Sequence, residues 1–454
     1  MYVLIYASKE SIQIFQDLKE LIEEYFPDKF LYFNAHGQKD GFSQNFYIDF
    51  NPTTSYHLGS KEKSPLNYES LYQSDQDYLY KRFDENYFIN KTNYTLLKLR
   101  KILEQNSIKG LFSVGGGSLF TNCFFEVLSS RSIPTFRFPT LSYLNQNSGS
   151  PRFVFFESNQ YLVEQKQKSD LPTWAIDLAI SYYESVKNKK LLPDRDARKV
   201  SKSGMFTPNS IFVWSKYLIK YMIKTALNKM GYSYSTFEDL LKIKTYINKL
   251  FLKYKLLFQD IEIDKKPFFL MILHHPIDSQ LAFRGRQFRD QIALARTIAM
   301  NLPYTHNLLI KEHPVYPGMI DHSDVSLLVK NNKVKYLTDR FSFSELIKKC
   351  DGVITINSTA GLEAMIHEVP IFVLGNCFYS QLESVYKVDN FENLLVQFNQ
   401  CLNNPKRTSR DDVINLLASL FELSHPKDSK DRNQSDIPEI IFEGIQERVN
   451  KIEK

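Results

Sequence analysis

Three short clusters carry side chains able to hold an anion and to move a proton. They are His274-His275-Pro276-Ile277-Asp278-Ser279, Lys311-Glu312-His313-Pro314 and Asn357-Ser358-Thr359-Ala360-Gly361. Each follows an apolar run, and each holds a Pro or Gly that bends the chain. In the third, a small polar turn runs into a helical pattern that starts near Ala360. A helix N-terminus presents free N–H groups and partial positive charge, so it suits phosphate. Ser358 and Thr359 add hydroxyls, Gly361 would allow close approach, and Glu363 is placed in the first turn, within reach of ribose hydroxyls. Simple capping of the helix by Ser358 or Thr359 would need no ligand at all. Pro314 holds His313 extended. From there, beside Lys311, its imidazole can donate to a phosphate and stabilise a departing nucleotide.

The elements that must position these clusters are legible. Apolar runs at Phe268–His275, Asn307–Lys311, Val334–Leu337, Val353–Ile356 and Ile371–Leu374 alternate with helical patterns at Arg289–Asn301, Ser342–Lys349 and Ala360–His367. Ser342 with Glu345 has the spacing of a capping box. The alternation predicts a doubly wound Rossmann-like domain of about five parallel strands, whose ligands bind beyond the carboxyl ends of the strands. That places all three clusters on one edge. Earlier in the chain, strands are expected at Tyr2–Tyr6, Phe30–Asn34, Gly110–Val114, Thr135–Phe138 and Phe153–Phe156, with helices at Lys9–Tyr25 and Tyr94–Gln105 and another after Ser118. This too is the pattern of a parallel α/β domain. Asn51–Asp84 reads as a loop-rich, tyrosine-rich insertion. A basic stretch from Lys187 to Ser203 marks a linker, and Trp214, Leu218, Met222 and Leu227 share one face of a following helix. The expected division is 1–205, an N-terminal domain; 206–264, a helical linker; 265–390, a C-terminal domain; and 391–454, a helical tail.

Composition excludes several classes. The 454 residues are 43% hydrophobic and 24% charged, ordinary globular usage. With 57 Lys+Arg against 51 Asp+Glu the net charge is +6, too small to mark a nucleic-acid binder. No apolar stretch is long enough to cross a bilayer, and Met1–Ser8 reads as a strand, not a signal peptide. The four cysteines form no CxxC pair and read as free thiols. The expected location is the cytoplasm, with a peripheral position at the inner face of the membrane where the basic linker meets an anionic surface.

Leu308–Gly318 (LLIKEHPVYPG), Val353–Tyr379 (VITINSTAGLEAMIHEVPIFVLGNCFY) and Leu273–Leu281 (LHHPIDSQL) resemble the bacterial capsular-polysaccharide biosynthesis proteins, a family that includes Kdo transferases. The resemblance implies the GT-B fold, two Rossmann-like domains facing a cleft, and a glycosyltransferase of capsule or surface-glycan assembly. Its donor would be a nucleotide-sugar, CMP-linked and Kdo-like, and its acceptor a glycan or glycolipid. By the same resemblance His313 contacts the donor phosphate, Ser358 and Thr359 bind it, and Glu363 binds ribose or supports the loop. Lys311, Glu312, Gly361, His274, Asp278 and Ser279 complete the donor side. No essential metal or other cofactor is implied, because helix dipole, His and Lys take the place of a metal-binding acidic pair.

The acceptor half departs further from the family. Gly115-Gly116-Gly117 forms a strand-to-helix turn where relatives carry a glycine turn on the acceptor side, but it lacks the spacing of a dinucleotide fingerprint. Relatives often show a Glu-Gly-Tyr stretch after the next strand; here the chain reads Thr135-Phe136-Arg137-Phe138-Pro139, with no acidic residue. A transferase needs a base or nucleophile in this half. His36 and Asp40 are the candidates, with Glu126 and Glu157 as rivals. Two other readings stand beside the transferase: a UDP-sugar epimerase of the same architecture, and a non-catalytic glycan-binding subunit of a capsule assembly complex.

Overall fold

A computed structural model describes residues 1–6, 12–34, 44–45, 54–56, 71, 85–114, 119–138, 151–157, 161–188, 215, 219, 222–223, 266–274, 281, 284–313, 320–337, 342–428 and 432–454. The first half builds β1 (Tyr2–Tyr6), α1 (Ile12–Tyr25), β2 (Phe30–Asn34), β3 (Gln44–Asn45), α2 (Glu85–Gln105), β4 (Gly110–Val114), α3 (Leu119–Ser130), β5 (Thr135–Phe138), β6 (Phe153–Val154), β7 (Phe156–Glu157) and α4 (Thr173–Lys187). The second builds β8 (Phe268–Ile272), α5 (Gln291–Asn301), β9 (Asn307–Lys311), α6 (His322–Leu328), β10 (Val334–Leu337), α7 (Phe343–Leu346), β11 (Gly352–Thr355), α8 (Thr359–Ile366), β12 (Ile371–Val373) and β13 (Tyr386–Lys387). Then come α9 (Leu394–Asn403), α10 (Arg410–Glu422), β14 (Ser424–His425) and α11 (Ile437–Glu453).

Two six-stranded sheets result, ordered β3-β2-β1-β4-β5-β7 and β10-β9-β8-β11-β12-β13. Counted from its own first strand, each follows the 3-2-1-4-5 order of the Rossmann fold. The second sheet is parallel throughout. In the first only β7 runs antiparallel, against β5. Strand alternation explains the layers. Phe268, Leu270 and Ile272 enter one core and Phe269, Met271 and Leu273 the other. In β1, Tyr2 and Leu4 face away from Val3 and Ile5 in the same way. The expected five strands become six because the two-residue β13 is too short to leave a sequence signal. The capping box at α7 forms as expected: the Ser342 amide donates to Glu345 Oε2 at 2.9 Å and the Glu345 amide donates to Ser342 Oγ at 3.2 Å.

The two halves exchange helices. α4, a helix not expected from the sequence, in a stretch placed in the N-terminal domain, packs with α10 and α8 over the second sheet, through Ala175, Ala179 and Tyr182. Lys187 at its end donates to the Ile366 carbonyl at 3.0 Å, satisfying the C-terminus of α8. The expected tail is no separate unit. α9 and α10 line the two faces of the second sheet, while α11 crosses back to the first and buries Ile440, Ile441 and Ile445 against β1 and α1. The crossing is anchored by Arg152, fully buried, which donates to the Pro426 carbonyl at 2.8 Å and lies over the rings of Trp174 and Phe421. His425 Nε2 lies 3.0 Å from Glu447 of α11 and holds that carboxyl down to about 2. The 206–264 linker, the 51–84 insertion and most of the basic stretch lie outside the described residues, apart from scattered positions.

Candidate functional site at the switch point of the second sheet

In a doubly wound sheet the chain reverses direction between the first and fourth strands, and the crevice opens there. In the second sheet these are β8 and β11. The three clusters expected on one edge do follow the ends of β8, β9 and β11. His274, 3% exposed, sits just past β8. Its amide donates to Gln291 Oε1 at 2.7 Å, and Gln291 Nε2 returns a bond to its carbonyl at 3.0 Å. Its Nε2 accepts from the Asn357 amide at 3.3 Å, which puts the proton of the neutral ring on Nδ1. His274 therefore ties the end of β8 to the turn after β11 and acts as a strut beneath the crevice.

The turn itself is heavily cross-braced. Thr355 Oγ1 donates to Ser358 Oγ at 3.0 Å and accepts from the Ser358 amide at 3.1 Å. Ser358 Oγ accepts from the Ala360 amide at 3.2 Å, capping α8. The capping alternative is thus realised for Ser358, while the Thr359 hydroxyl keeps no hydrogen-bond partner among the described residues. Gly361 has a different reason from ligand clearance. A Cβ there would lie 2.3 Å from the hydroxyl oxygen of buried Tyr379, which donates to the Ser358 carbonyl. The glycine makes room for this tyrosine, and the tyrosine locks the turn.

Glu363 lies in the second turn of α8, not the first as expected, since no acidic residue occupies the first turn. Burial pushes its carboxyl up to about 7. Lys311 ends β9, and both it and His313 are half-buried at the same edge. Glu312 turns toward Tyr336 on the adjacent β10; burial first, and then this carboxylate, push the Tyr336 phenol well above its usual range. Asp278, Ser279, His36, Asp40 and Gly115–Gly117 lie outside the described residues. The rival carboxylates separate: Glu126 pairs with Arg286 at 3.4 Å, whereas exposed Glu157 acts on Arg448 of α11. Among the described residues, no group of three or more His, Cys, Asp or Glu side chains could hold a metal ion.

Sequence reasoning missed Gln291 and Tyr379, which brace the site through contacts far apart in sequence and left no signal there.

Two Rossmann-like domains that exchange helices, with a braced polar turn at the second switch point, define the GT-B class of α/β protein. Residues 186–383 match the family described as capsule polysaccharide biosynthesis protein, the stretch that holds all three motifs on which the resemblance rests. The match covers 198 of the chain's 454 residues. It is 34% identical over 89 residues to the capsule polysaccharide modification protein LipB of Neisseria meningitidis, covering 18% of this chain and 21% of LipB. It is 32% identical over 128 residues to the capsule polysaccharide export protein KpsS of Escherichia coli, covering 26% of this chain and 32% of KpsS. The matched stretches thus span a fifth to a third of these curated relatives. Among solved structures, Thermosulfurimonas dismutans KpsC, a beta Kdo 2,7 transferase, aligns over 99% of this chain and 100% of its own, at 12% identity and a TM-score of 0.37. A UDP-GlcNAc 2-epimerase of Methanocaldococcus jannaschii aligns over 91% of this chain and 98% of its own, at 12% identity and a TM-score of 0.30.

Proposed function

We propose that this protein is a glycosyltransferase of capsule or surface-polysaccharide assembly. It takes an acidic, Kdo-like sugar from a CMP donor and passes it to a glycan or glycolipid acceptor. The observation that carries this reading is the braced turn at the second switch point, Thr355–Gly361, inside the segment that matches the capsule family. There the α8 N-terminus, Thr359, Lys311 and His313 gather at one edge of the sheet. An acceptor hydroxyl attacks the anomeric carbon, the bond from that carbon to the phosphate oxygen breaks, and the nucleotide leaves with the electron pair. The hydroxyl proton passes to a base of the N-terminal half, for which His36 and Asp40 are the candidates. Preorganised donors around the leaving phosphate lower the barrier without a metal. No helix among the described residues is long and apolar enough to cross a membrane. Ile219, Met222 and Ile223 stand exposed at helical spacing in the linker, which supports a peripheral position at the cytoplasmic face.

A thermal-shift series with CMP, UDP and GDP tests the donor, since a ligand of the native state raises the melting temperature by mass action. CMP alone is expected to do so, and to do so equally in EDTA. A response to UDP alone, with isomerisation of a UDP-sugar in the absence of acceptor, would overturn the reading in favour of an epimerase. His313→Ala is expected to weaken CMP binding about tenfold, the loss of one charge-assisted hydrogen bond, with the melting temperature of the free protein unchanged. Undiminished CMP affinity in that variant removes His313 from the phosphate.

A further inference from the structure

The positive surplus of the chain is concentrated in one place. Residues 197–237 carry seven Lys or Arg and no Asp or Glu, whereas the rest of the chain has 50 against 51. The whole net charge of +6 therefore comes from this stretch, which runs from the basic linker into the helical segment beyond it. The stretch is also rich in large aromatic side chains, among them Phe206, Phe212, Trp214, Tyr217 and Tyr221. Trp and Tyr rings suit the boundary between lipid and water, because each is apolar with one polar group.

Four described residues of the stretch, Ser215, Ile219, Met222 and Ile223, are helical and exposed. Their spacing of i, i+4, i+7 and i+8 puts them on one face. The three apolar ones are 57%, 62% and 54% exposed. Each would gain free energy by leaving water. Lys216, Lys220 and Lys224 lie outside the described residues, but in the sequence they directly follow Ser215, Ile219 and Ile223. On a helix such a repeat of four runs as a basic row beside the apolar one. An apolar face flanked by lysines matches a helix that lies in the plane of an anionic bilayer. The same lysines interrupt the segment too often for it to cross one.

We propose that the helix through residues 215–223 is a surface anchor whose partner is a bilayer rich in anionic phospholipid. Ile219, Met222 and Ile223 enter the boundary between headgroups and acyl chains, and Lys216, Lys220 and Lys224 meet the lipid phosphates. The anchor deepens the peripheral position in the proposed function. It rests on that reading only for the acceptor, a glycolipid held in the same surface. Co-sedimentation of the full chain with vesicles of equal parts phosphatidylglycerol and phosphatidylcholine tests it, beside vesicles of phosphatidylcholine alone. Binding is expected only to the anionic vesicles and should fall as salt is raised. Lys216→Gln, Lys220→Gln and Lys224→Gln combined are expected to weaken it about a hundredfold, from about fivefold for each charge. Ile219→Gln with Ile223→Gln is expected to weaken it about tenfold. The melting temperature of that variant should not fall, because both side chains are exposed. Absence of binding to the anionic vesicles, or equal binding to both kinds, would overturn the proposal. So would a dimer in light scattering that Ile219→Gln with Ile223→Gln dissolves while vesicle binding persists, which makes the face a contact between two copies. The thermal shift with CMP reads the donor site separately. Its absence beside normal vesicle binding overturns the donor assignment and leaves the anchor standing.

Discussion

Gly444→Ala is expected to destabilise the protein by about 3 kcal/mol, the upper end of what overpacking costs. Alanine in place of a mid-helix glycine normally gains about 1 kcal/mol through helix propensity. Here that gain is overwhelmed. The new Cβ would sit 1.7 Å from Phe155 Cζ and 2.0 Å from Cε2. Phe155 is 3% exposed, lies between the rings of Phe138 and His425, and has no space into which to retreat. The helix must lift from the first sheet, exposing Ile440, Ile441 and Ile445. Chemical denaturation checks the magnitude, and hydrogen exchange along 437–453 checks the location. Protection should fall on α11 and on β1, its partner, before the second sheet responds. Unchanged stability would mean that α11 does not dock as described. Gly444→Ala with Phe155→Leu should recover part of the loss, because the shorter side chain vacates the place of the ring.

The same helix shows where sequence reading stops. The longer strands of both sheets were legible because each is a short apolar run whose alternate residues enter two cores, and that pattern is local; the two-residue β3 and β13 were not. β6 and β7 were read as one strand, Phe153–Phe156, because the break at Phe155 is made by distant partners: β6 pairs with β14 and β7 with β5. α11 was legible only as part of a helical tail, and α4 was not singled out at all; an apolar face says only that something covers it. Which sheet each covers depends on residues such as Ala179, Gly444 and Arg152, whose partners lie hundreds of positions away. The domain boundary expected near residue 205 therefore divides the chain by sequence, while the packing divides it by exchange.

The site divides in the same manner. Topology places His274, Lys311–His313 and the Asn357–Gly361 turn at the ends of β8, β9 and β11, and the strand pattern in the sequence carries that topology. The role of each atom was less accessible. His274 was expected on the donor side, and its Nε2 accepts from the Asn357 amide, bracing the turn. Gly361 looked like ligand clearance, yet its missing Cβ is filled by Tyr379. Both residues rigidify the crevice, which is what a preorganised site needs from the layer beneath it. Arg137 stood out in the sequence only as the place where an acidic residue was lacking.

Glu363→Gln is expected to stabilise the protein at alkaline pH and to do nothing in acid. Burial is the cause of the carboxyl's elevation to about 7, so the folded state favours the protonated form. Below the ordinary carboxylate range both states are protonated and the residue is neutral toward folding. As pH rises through that range the unfolded chain ionises first, and stability falls until the folded carboxyl ionises as well. Above that point the full penalty is present, roughly 3 kcal/mol at most. Glutamine has nearly the same shape and no charge, so it removes the penalty where there is one. Melting temperatures of the two proteins should coincide near pH 4 and separate above pH 7, with the variant higher. Equal melting at pH 8 would show that the carboxyl is solvated and titrates normally. The location gives this a functional edge. Glu363 lies one turn into α8, below the turn proposed to hold the donor phosphate. A ribose hydroxyl that donates to it would favour the ionised form and release a proton on binding. CMP affinity of the native protein should then rise as pH passes through 7, and the Gln variant should lose that dependence while keeping the phosphate contacts.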